Sequence, residues 1–253
     1  MFDAVIMAGG GKAEPLTELE GVSNKAFIKV NGRTLLGYIL DALSRAPSVA
    51  RIAVVGPTRE LAELQQEGYT FTAVEETGGM LDNAMAGLEA VCGERLCLVV
   101  TADIPLLHES VVETFLELCA PFDGDFYYPV LSRESCESVF PDTKRTYVRL
   151  REGDVTGGNL ALLNPAWFIK NRHRLEMFIA NRKKPLKLLR LLPLSFVAKF
   201  LLHRLSIADL ETELSRMMGM TVRAVPCTLV EIGTDVDKLS DLEAVRRALS
   251  DRR

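Results

Sequence analysis

The sequence predicts an α/β fold: a doubly wound, mostly parallel mixed sheet carrying a helical insertion. Three observations lead there. Strand-like and helix-like stretches alternate over the first 130 residues, which is the pattern of βα units with helices on both faces of a sheet. The runs Asp3–Ala8 and Leu96–Thr101 are compact and apolar, as strands covered on both faces must be. A glycine cluster directly follows the first of these runs, and ligands in such sheets bind beyond the carboxyl ends of the strands.

Each element can be read in turn. Phe27–Val30 is short and β-like and is closed by an Asn31-Gly32 turn. Thr34–Arg45 carries Leu35, Leu36, Ile39, Leu40 and Leu43 at helical spacing. Strands are predicted over Arg51–Val55, Phe71–Val74 and Asp125–Val130, and helices over Thr58–Gln66, Met80–Val91 and His108–Cys119. After Leu131 the pattern loosens. Tyr147–Leu150 and Asn159–Leu163 read as strands, and a helical block spans about 165–218, broken near Pro185 and Pro193. Strands Val222–Val225 and Thr228–Ile232 and a helix Leu239–Leu249 close the chain. The expectation is one domain over 1–253, in two halves at 1–130 and 131–253; the resemblance described below implies that the first binds the nucleotide and the second the acceptor.

Composition excludes several classes. A length of 253 residues allows a sizeable core, and 48% apolar with 25% charged residues is ordinary for a globular protein. A net charge of −4 argues against nucleic acid as a partner. Five scattered cysteines, with no CxxC pair, indicate free thiols in a reducing compartment, the cytoplasm. Three histidines make a His-rich zinc site improbable. The start MFDAVIMAGGGK lacks the basic region of a secretory signal, and no eighteen-residue uncharged apolar run is present.

The chemistry concentrates at two strand ends. Ala8-Gly9-Gly10-Gly11-Lys12 can turn backbone N–H groups toward an anion with no Cβ in the way. Lys12 and Lys25 add the cations that a triphosphate requires. A dinucleotide fingerprint fails because Glu14 stands where glycine is needed, and no GxxxxGK[ST] exists. The bland alternative is a glycine turn that binds nothing. The second end is Thr101-Ala102-Asp103-Ile104-Pro105. An aspartate there suits Mg²⁺, which takes carboxylate and phosphate oxygens. The competing role for Asp103 is to cap the next helix, which His108-Glu109-Ser110 could equally serve.

Together these stretches resemble the MobA-like NTP transferase group, within the nucleotidyltransferases of glycosyltransferase-A type, or nucleotide-diphospho-sugar transferase-like, fold. The resemblance rests on Ile6–Gly10, Lys25-Ala26-Phe27, Asn31–Leu35, Gly87-Leu88, Val100–Pro105, Gly233–Asp237 and Asp241-Leu242, in that order along the chain. It implies that Ala8, Gly9 and Gly10 cradle the nucleotide and that Lys25 contacts phosphate. It also implies that Asp103 and Asp235 bind Mg²⁺ from separate loops. Asp237 is either a third ligand or a cap of the last helix. Base or ribose recognition is implied near Gly79 and Asn83. The implied reaction transfers a nucleoside monophosphate from an NTP to a small, phosphorylated acceptor and releases pyrophosphate. One departure stands out: the group usually has a further glycine and an arginine where this chain has Lys12 and Glu14. Lys12 supplies charge without arginine's fork, which leaves a non-catalytic nucleotide-binding protein as the alternative. Asp235-Val236-Asp237 also has the DxD spelling of a sugar transferase, though it lies near the C-terminus rather than after a central strand.

The acceptor side is read from Thr143–Arg151, which alternates so that Arg145, Arg149 and Arg151 share one face of a regular strand. Thr156-Gly157-Gly158-Asn159 follows, and a similar pairing occurs in bacterial members of the group. Arg145 and Asn159 are the expected holders of an anionic acceptor, against the plainer reading of a solvated strand and a hairpin turn. Finally, residues 170–204 carry ten Lys or Arg against one acid, a net +9 that leaves −13 elsewhere. Such a basic, leucine-rich stretch packs on the sheet with a solvated cationic side, lies on an anionic membrane surface, forms a homodimer face, or covers a lipid-like acceptor.

Overall fold

The computed structural model describes residues 1–10, 14–91, 93, 95–141, 145–181 and 193–251. The described residues build one nine-stranded sheet and a small two-stranded ribbon. Strands β1 (Phe2–Met7), β4 (Val49–Gly56), β5 (Thr72–Glu75) and β6 (Cys97–Thr101) form one half of it. Strands β7 (Phe126–Ser132), β8 (Val148–Leu150), β9 (Gly153–Gly157), β10 (Leu160–Leu163) and β11 (Val222–Cys227) form the other half. The order is β5-β4-β1-β6-β10-β7-β9-β8, with β11 on the free side of β7. Only β9 and β10 run against the common direction. The sheet is therefore mixed and mostly parallel, as the sequence predicts.

Both faces are covered. On one, Ala4 and Ile6 of β1 and Leu98 and Val100 of β6 pack under Ile39 and Leu43 of α2 (Leu35–Arg45) and Phe115 of α5 (Glu109–Leu118). Leu61 of α3 (Thr58–Gln66) joins that cluster. On the other face, Val5 and Val55 meet Met85 and Leu88 of α4 (Met80–Ala90). Phe168 of α7 (Pro165–Lys170) and Leu175 of α8 (Arg172–Asn181) complete it. The alternation of Ala4, Val5 and Ile6 between the two clusters shows why every position of a central strand must be apolar. The exception is Asp3, 1% exposed, whose carboxylate accepts from Arg51 Nε and Nη2 at 3.0 and 2.7 Å; a buried charge needs such a partner.

Most elements lie within a residue or two of their sequence-predicted bounds. Thr34 caps α2 by accepting from Gly37 N, and Asn31-Gly32, both at positive φ (51° and 82°), closes the ribbon of β2 (Lys29–Val30) and β3 (Arg33–Thr34). Four readings need correction. Phe27 is not strand: Lys25–Phe27 is a single 3₁₀ turn capped by Asn24. Thr228–Ile232 is not strand either. The ladder ends where Cys227 meets Leu131, and the chain crosses to the front edge through a 3₁₀ turn at Val230–Gly233. Arg145, Arg149 and Arg151 do not share a strand face. The strand is only Val148–Leu150; Arg145 precedes it, and Arg151 sits in the turn before β9. Thr156 and Gly157 belong to β9 rather than to a hairpin turn. Two short helices had no clear periodic signal: α1 (Pro15–Glu20) and α6 (Arg133–Val139). Of the predicted helical block, residues 182–192 lie outside the described residues; α9 (Leu194–Leu201) and α10 (Ile207–Met218) follow them. The last helix, α11, spans Leu239–Asp251.

Helix α4 sits against β1 and β4 because it has a glycine where it crosses them. A Cβ on Gly87 would lie 2.5 Å from Val5 Cγ1 and 2.8 Å from Val55 Cγ2. Gly87→Ala is therefore expected to cost about 1–3 kcal/mol, as overpacking does, read as a lower urea midpoint at unchanged slope. Combining it with Val5→Ala should recover part of the loss; a strictly additive double variant would show that the close approach is not the cause.

Candidate active site

The front edge is set by register. Met7 of β1 stands opposite Thr101 of β6 and Val55 of β4. The ladder continues past the strands: Ala102 N donates to Met7 O at 3.2 Å and Ala8 N to Val55 O at 2.8 Å. The glycine loop and Asp103 thus leave neighbouring parallel strands side by side.

Gly9 has no space for a side chain, since a Cβ there would come within 2.9 Å of Asn83 Nδ2 and Glu76 Oε2. Gly10 adopts φ +85°, the left-handed region that favours glycine. Its N–H donates to Glu76 Oε2 at 2.5 Å, so a carboxylate already engages this loop. Asn24, buried, ties the loop to the lysine turn: its Nδ2 donates to Ala8 O at 2.7 Å, and its Oδ1 accepts from Ala26 N at 2.9 Å. Lys25 is thereby aimed at the acidic cluster, with Nζ 3.3 Å from Asp103 Oδ2 and 2.5 Å from Asp237 Oδ1.

Asp103 is held at both ends. Thr101 Oγ1 donates to its Oδ1 at 2.6 Å, and its backbone carbonyl accepts from Val236 N at 3.0 Å. The second bond draws the C-terminal loop onto the end of β6. As a result, Asp103, Asp235 and Asp237 each offer a carboxylate oxygen, all within 4.8 Å of one another. Asp103 accepts from Thr101 rather than capping α5, and His108 at the cap position makes no side-chain cap bond. Nor does Asp237 cap α11: it faces Lys25, while Asp241 accepts from the Asp237 and Lys238 amides.

The cluster is electrostatically strained. Burial, then the charges of Asp103 and Asp237, push the Asp235 carboxyl up to about 6. Asp237 goes the other way: burial opposes ionisation, but the bond and charge of Lys25 outweigh it and hold this carboxyl below its usual range. Burial would lower Lys25; the two carboxylates override it and raise the ammonium. One lysine among three carboxylates leaves excess negative charge, which a divalent cation would neutralise.

Two of the cavities that meet this cluster are lined by the predicted site residues. The larger, about 720 Å³, is lined by Ala8, Gly9, Gly10, Lys25, Gly79 and Asp103 at its polar end, and by Met85, Leu163, Phe168 and Leu175 deeper in. The smaller, about 370 Å³, is lined by Arg145, Thr156, Asn159, Asp235 and Asp237. Arg145 reaches it by donating from Nη2 to Thr234 Oγ1 at 2.7 Å, and its buried Nε has no partner. Arg149 instead pairs with Asp154 at 2.9 Å, away from the cavity. Asn83 is buried behind the Thr77–Gly79 turn, with Oδ1 accepting from Thr77 N at 2.9 Å and Nδ2 without a partner. Gly11 and Lys12 lie outside the described residues. Sequence reasoning missed Asn24, Glu76, Thr101 and Thr234. Asn24 carries a faint signal, being a cap-type residue just before Lys25. Glu76 has none, because it meets Gly10 across 66 residues.

A family profile described as the MobA-like NTP transferase domain matches residues 4–195. The chain belongs to that family. Its fold is similar to that of a hypothetical transferase from Thermus thermophilus, at 37% identity and a TM-score of 0.84 over 95% of this chain and 99% of that one. It also resembles CMP:2-keto-3-deoxy-manno-octonic acid synthetase complexed with CTP, at 14% identity and a TM-score of 0.64, each chain covered in full (100%). At 14% identity, that likeness concerns the fold alone. A curated relative, 2-C-methyl-D-erythritol 4-phosphate cytidylyltransferase of Clostridium acetobutylicum, is 27% identical over 128 residues, 48% of this chain. That match spans 54% of the relative's length, about half. The family is one of nucleotidyltransferases, and no helix among the described residues is long and apolar enough to cross a membrane.

The clamp made by Asn24 can be checked directly. Asn24→Asp keeps the acceptor for Ala26 N but loses the donor to Ala8 O, and sets a carboxylate against that carbonyl. We expect a stability loss of about 1–3 kcal/mol, the cost of a buried unmet acceptor. The measurement is a chemical melt of both proteins; equal midpoints would show that the clamp carries no weight.

Proposed function

We propose that this protein is a Mg²⁺-dependent nucleotidyltransferase, moving a nucleoside monophosphate from an NTP to a small, phosphorylated acceptor with release of pyrophosphate. The observation that carries this reading is the Lys25–Asp103–Asp235–Asp237 cluster, standing between two cavities of different character. The free thiols of Cys97, Cys119, Cys136 and Cys227 support a cytoplasmic setting.

The donor set fits the ion. Three carboxylates from two loops are hard oxygen ligands of the kind Mg²⁺ prefers, with phosphate oxygens filling the rest of the shell. When bound by Asp103, Asp235 and Asp237, Mg²⁺ would supply charge neutralisation at the α-phosphoryl group and the leaving pyrophosphate. The chain's own residues do the remainder. The Gly9 and Gly10 backbone lets phosphate oxygens approach the loop amides; for Gly10 this means that phosphate displaces the Glu76 carboxylate. Lys25, kept cationic by its carboxylate neighbours, adds positive charge beside the phosphates. Gly79, at the mouth of α4, lines the same cavity for the nucleoside end, with Asn83 bracing its turn. Arg145 and Asn159 hold the acceptor's anionic group in the polar cavity, so that an acceptor oxygen faces the α-phosphorus. A new O–P bond then forms as the bond to the β-phosphate oxygen breaks, and no enzyme-bound covalent intermediate is needed.

Asp103→Asn should cut pyrophosphate release at least about a hundredfold while the thermal midpoint stays near that of the parent. Full activity in that variant would remove Asp103 from the site. Arg145→Ala should raise the acceptor's KM about tenfold, the worth of a charged hydrogen bond, and leave the KM for NTP unchanged. NTP binding with no pyrophosphate release across a broad acceptor panel would instead favour the non-catalytic reading.

A further inference from the structure

The larger cavity runs along a strand. Its lining begins at Thr101 and Asp103 on the front edge and continues through Val99 of β6 to Leu163 of β10. Leu163 stands opposite Cys97, at the far end of β6 from Thr101. At the rise of a strand, the cavity therefore reaches about 13 Å inward. The polar side chains of its lining, Glu14, Asn24, Lys25, Thr101 and Asp103, belong to the front edge. Behind them the lining is apolar, with Ala84 and Met85 of α4, Phe168 of α7 and Leu175 of α8. The floor is a part of the sheet that the described helices do not close over. Leu98 and Val100 are fully buried on the α2 side, whereas Val99 between them is only half-buried, as is Ala161 opposite it on β10. Central strands covered on both faces otherwise pack at the density of an organic crystal.

The chemistry of these walls selects the guest. A nucleobase carries donors and acceptors along its edges, and behind Thr101 no side chain of the lining can meet them. The backbone groups of β6 and β10 are already paired in the sheet, so burying those edges unmet would be costly. An apolar cavity takes an apolar guest instead, and about 720 Å³ is within the range of small-molecule sites. The mouth sets a second condition, because Lys25 and the Gly9–Gly10 loop there suit a phosphate. Thr101 lines this cavity and Asn159 the polar one, and Thr101 N donates to Asn159 O at 3.0 Å, so the two cavities are neighbours across one strand pairing. A phosphate held by Arg145 and Asn159 can send its ester chain along Val99 toward Leu163 and Leu175 while the nucleoside stays at Gly78 and Gly79. We propose, resting on the nucleotidyltransferase reading, that the acceptor is an amphiphile, an alkyl or prenyl monophosphate whose apolar chain lies in the deep end of the larger cavity. Its phosphate oxygen forms the new bond to the α-phosphorus as pyrophosphate leaves, so the product is a nucleoside joined to the chain through a diphosphate.

The test is calorimetric titration of the full chain, with Mg²⁺, by methyl, butyl and octyl phosphate, with pyrophosphate release followed on the same samples for each common NTP. Affinity is expected to rise about fourfold for each methylene that enters the cavity. Ala84→Leu fills the deep end from α4 and Val99→Leu fills it from the floor. In either variant octyl phosphate should bind no tighter than methyl phosphate, and a thermal midpoint at or above the parent's separates a filled cavity from a lost fold. Equal affinity across the series would overturn the proposal, as would variants that keep the parent's gain with chain length. So would a filled cavity that weakens NTP and spares octyl phosphate, since the nucleoside would then occupy the deep end. Pyrophosphate release with methyl phosphate that gains nothing from a longer chain would sink the amphiphile and leave the transferase standing. Chain-dependent binding with no release from any NTP would support the cavity as a site for apolar chains and remove the transferase reading instead.

Discussion

The front edge of this protein rests on the parallel register between β1 and β6. Met7 opposite Thr101, extended by the Ala102 N to Met7 O bond, brings two chain ends out of the sheet within reach of one another. One ends in glycines that expose amide donors; the other ends in Asp103. A slip of one residue in either strand would turn every apolar side chain to the wrong face, so the core that fixes the register also fixes the site. The third contributor, the loop of Asp235 and Asp237, is drawn in by a single backbone bond from Val236 to the Asp103 carbonyl. Backbone geometry thus gathers the carboxylates before any side-chain attraction acts.

Gathering them has an electrostatic consequence. Three carboxylates within 4.8 Å repel, and the protein answers with one lysine held from behind by Asn24. Lys25 bonds to Asp103 and Asp237 but leaves Asp235, whose carboxyl is the one displaced upward. The imbalance leaves the cluster with more negative charge than Lys25 neutralises. At Gly10, likewise, the exposed amide is met by the Glu76 carboxylate.

The two cavities divide the chemistry. The larger combines phosphate-type donors with an apolar interior from α4, α7 and α8. The smaller is polar throughout its named walls, with Arg145 set among carboxylates and an amide. Charge is unevenly divided along the chain: residues 170–204 carry a net +9 and the remainder −13. Within that stretch the described helix α9 has no buried residue, unlike α2, α4 and α5, each of which buries a face against the sheet.

What the sequence determined by itself was local or periodic. The βα alternation, the glycine loop after β1 and the aspartate after β6 follow from hydrophobic runs and backbone freedom, which are properties of short stretches. The match of several short stretches, in order along the chain, pointed to the family. What only the tertiary structure decided was everything resting on long-range pairing. Gly10 meets Glu76 and Arg145 meets Thr234 across 66 and 89 residues, and no periodicity encodes such partners. Val230 and Ile232 are as apolar as a strand requires, yet they turn in 3₁₀ form because β7 already has neighbours on both sides. Arg145 and Arg149 alternate in sequence, yet each follows its own partner, Thr234 or Asp154, because a three-residue strand is too short to impose a common face.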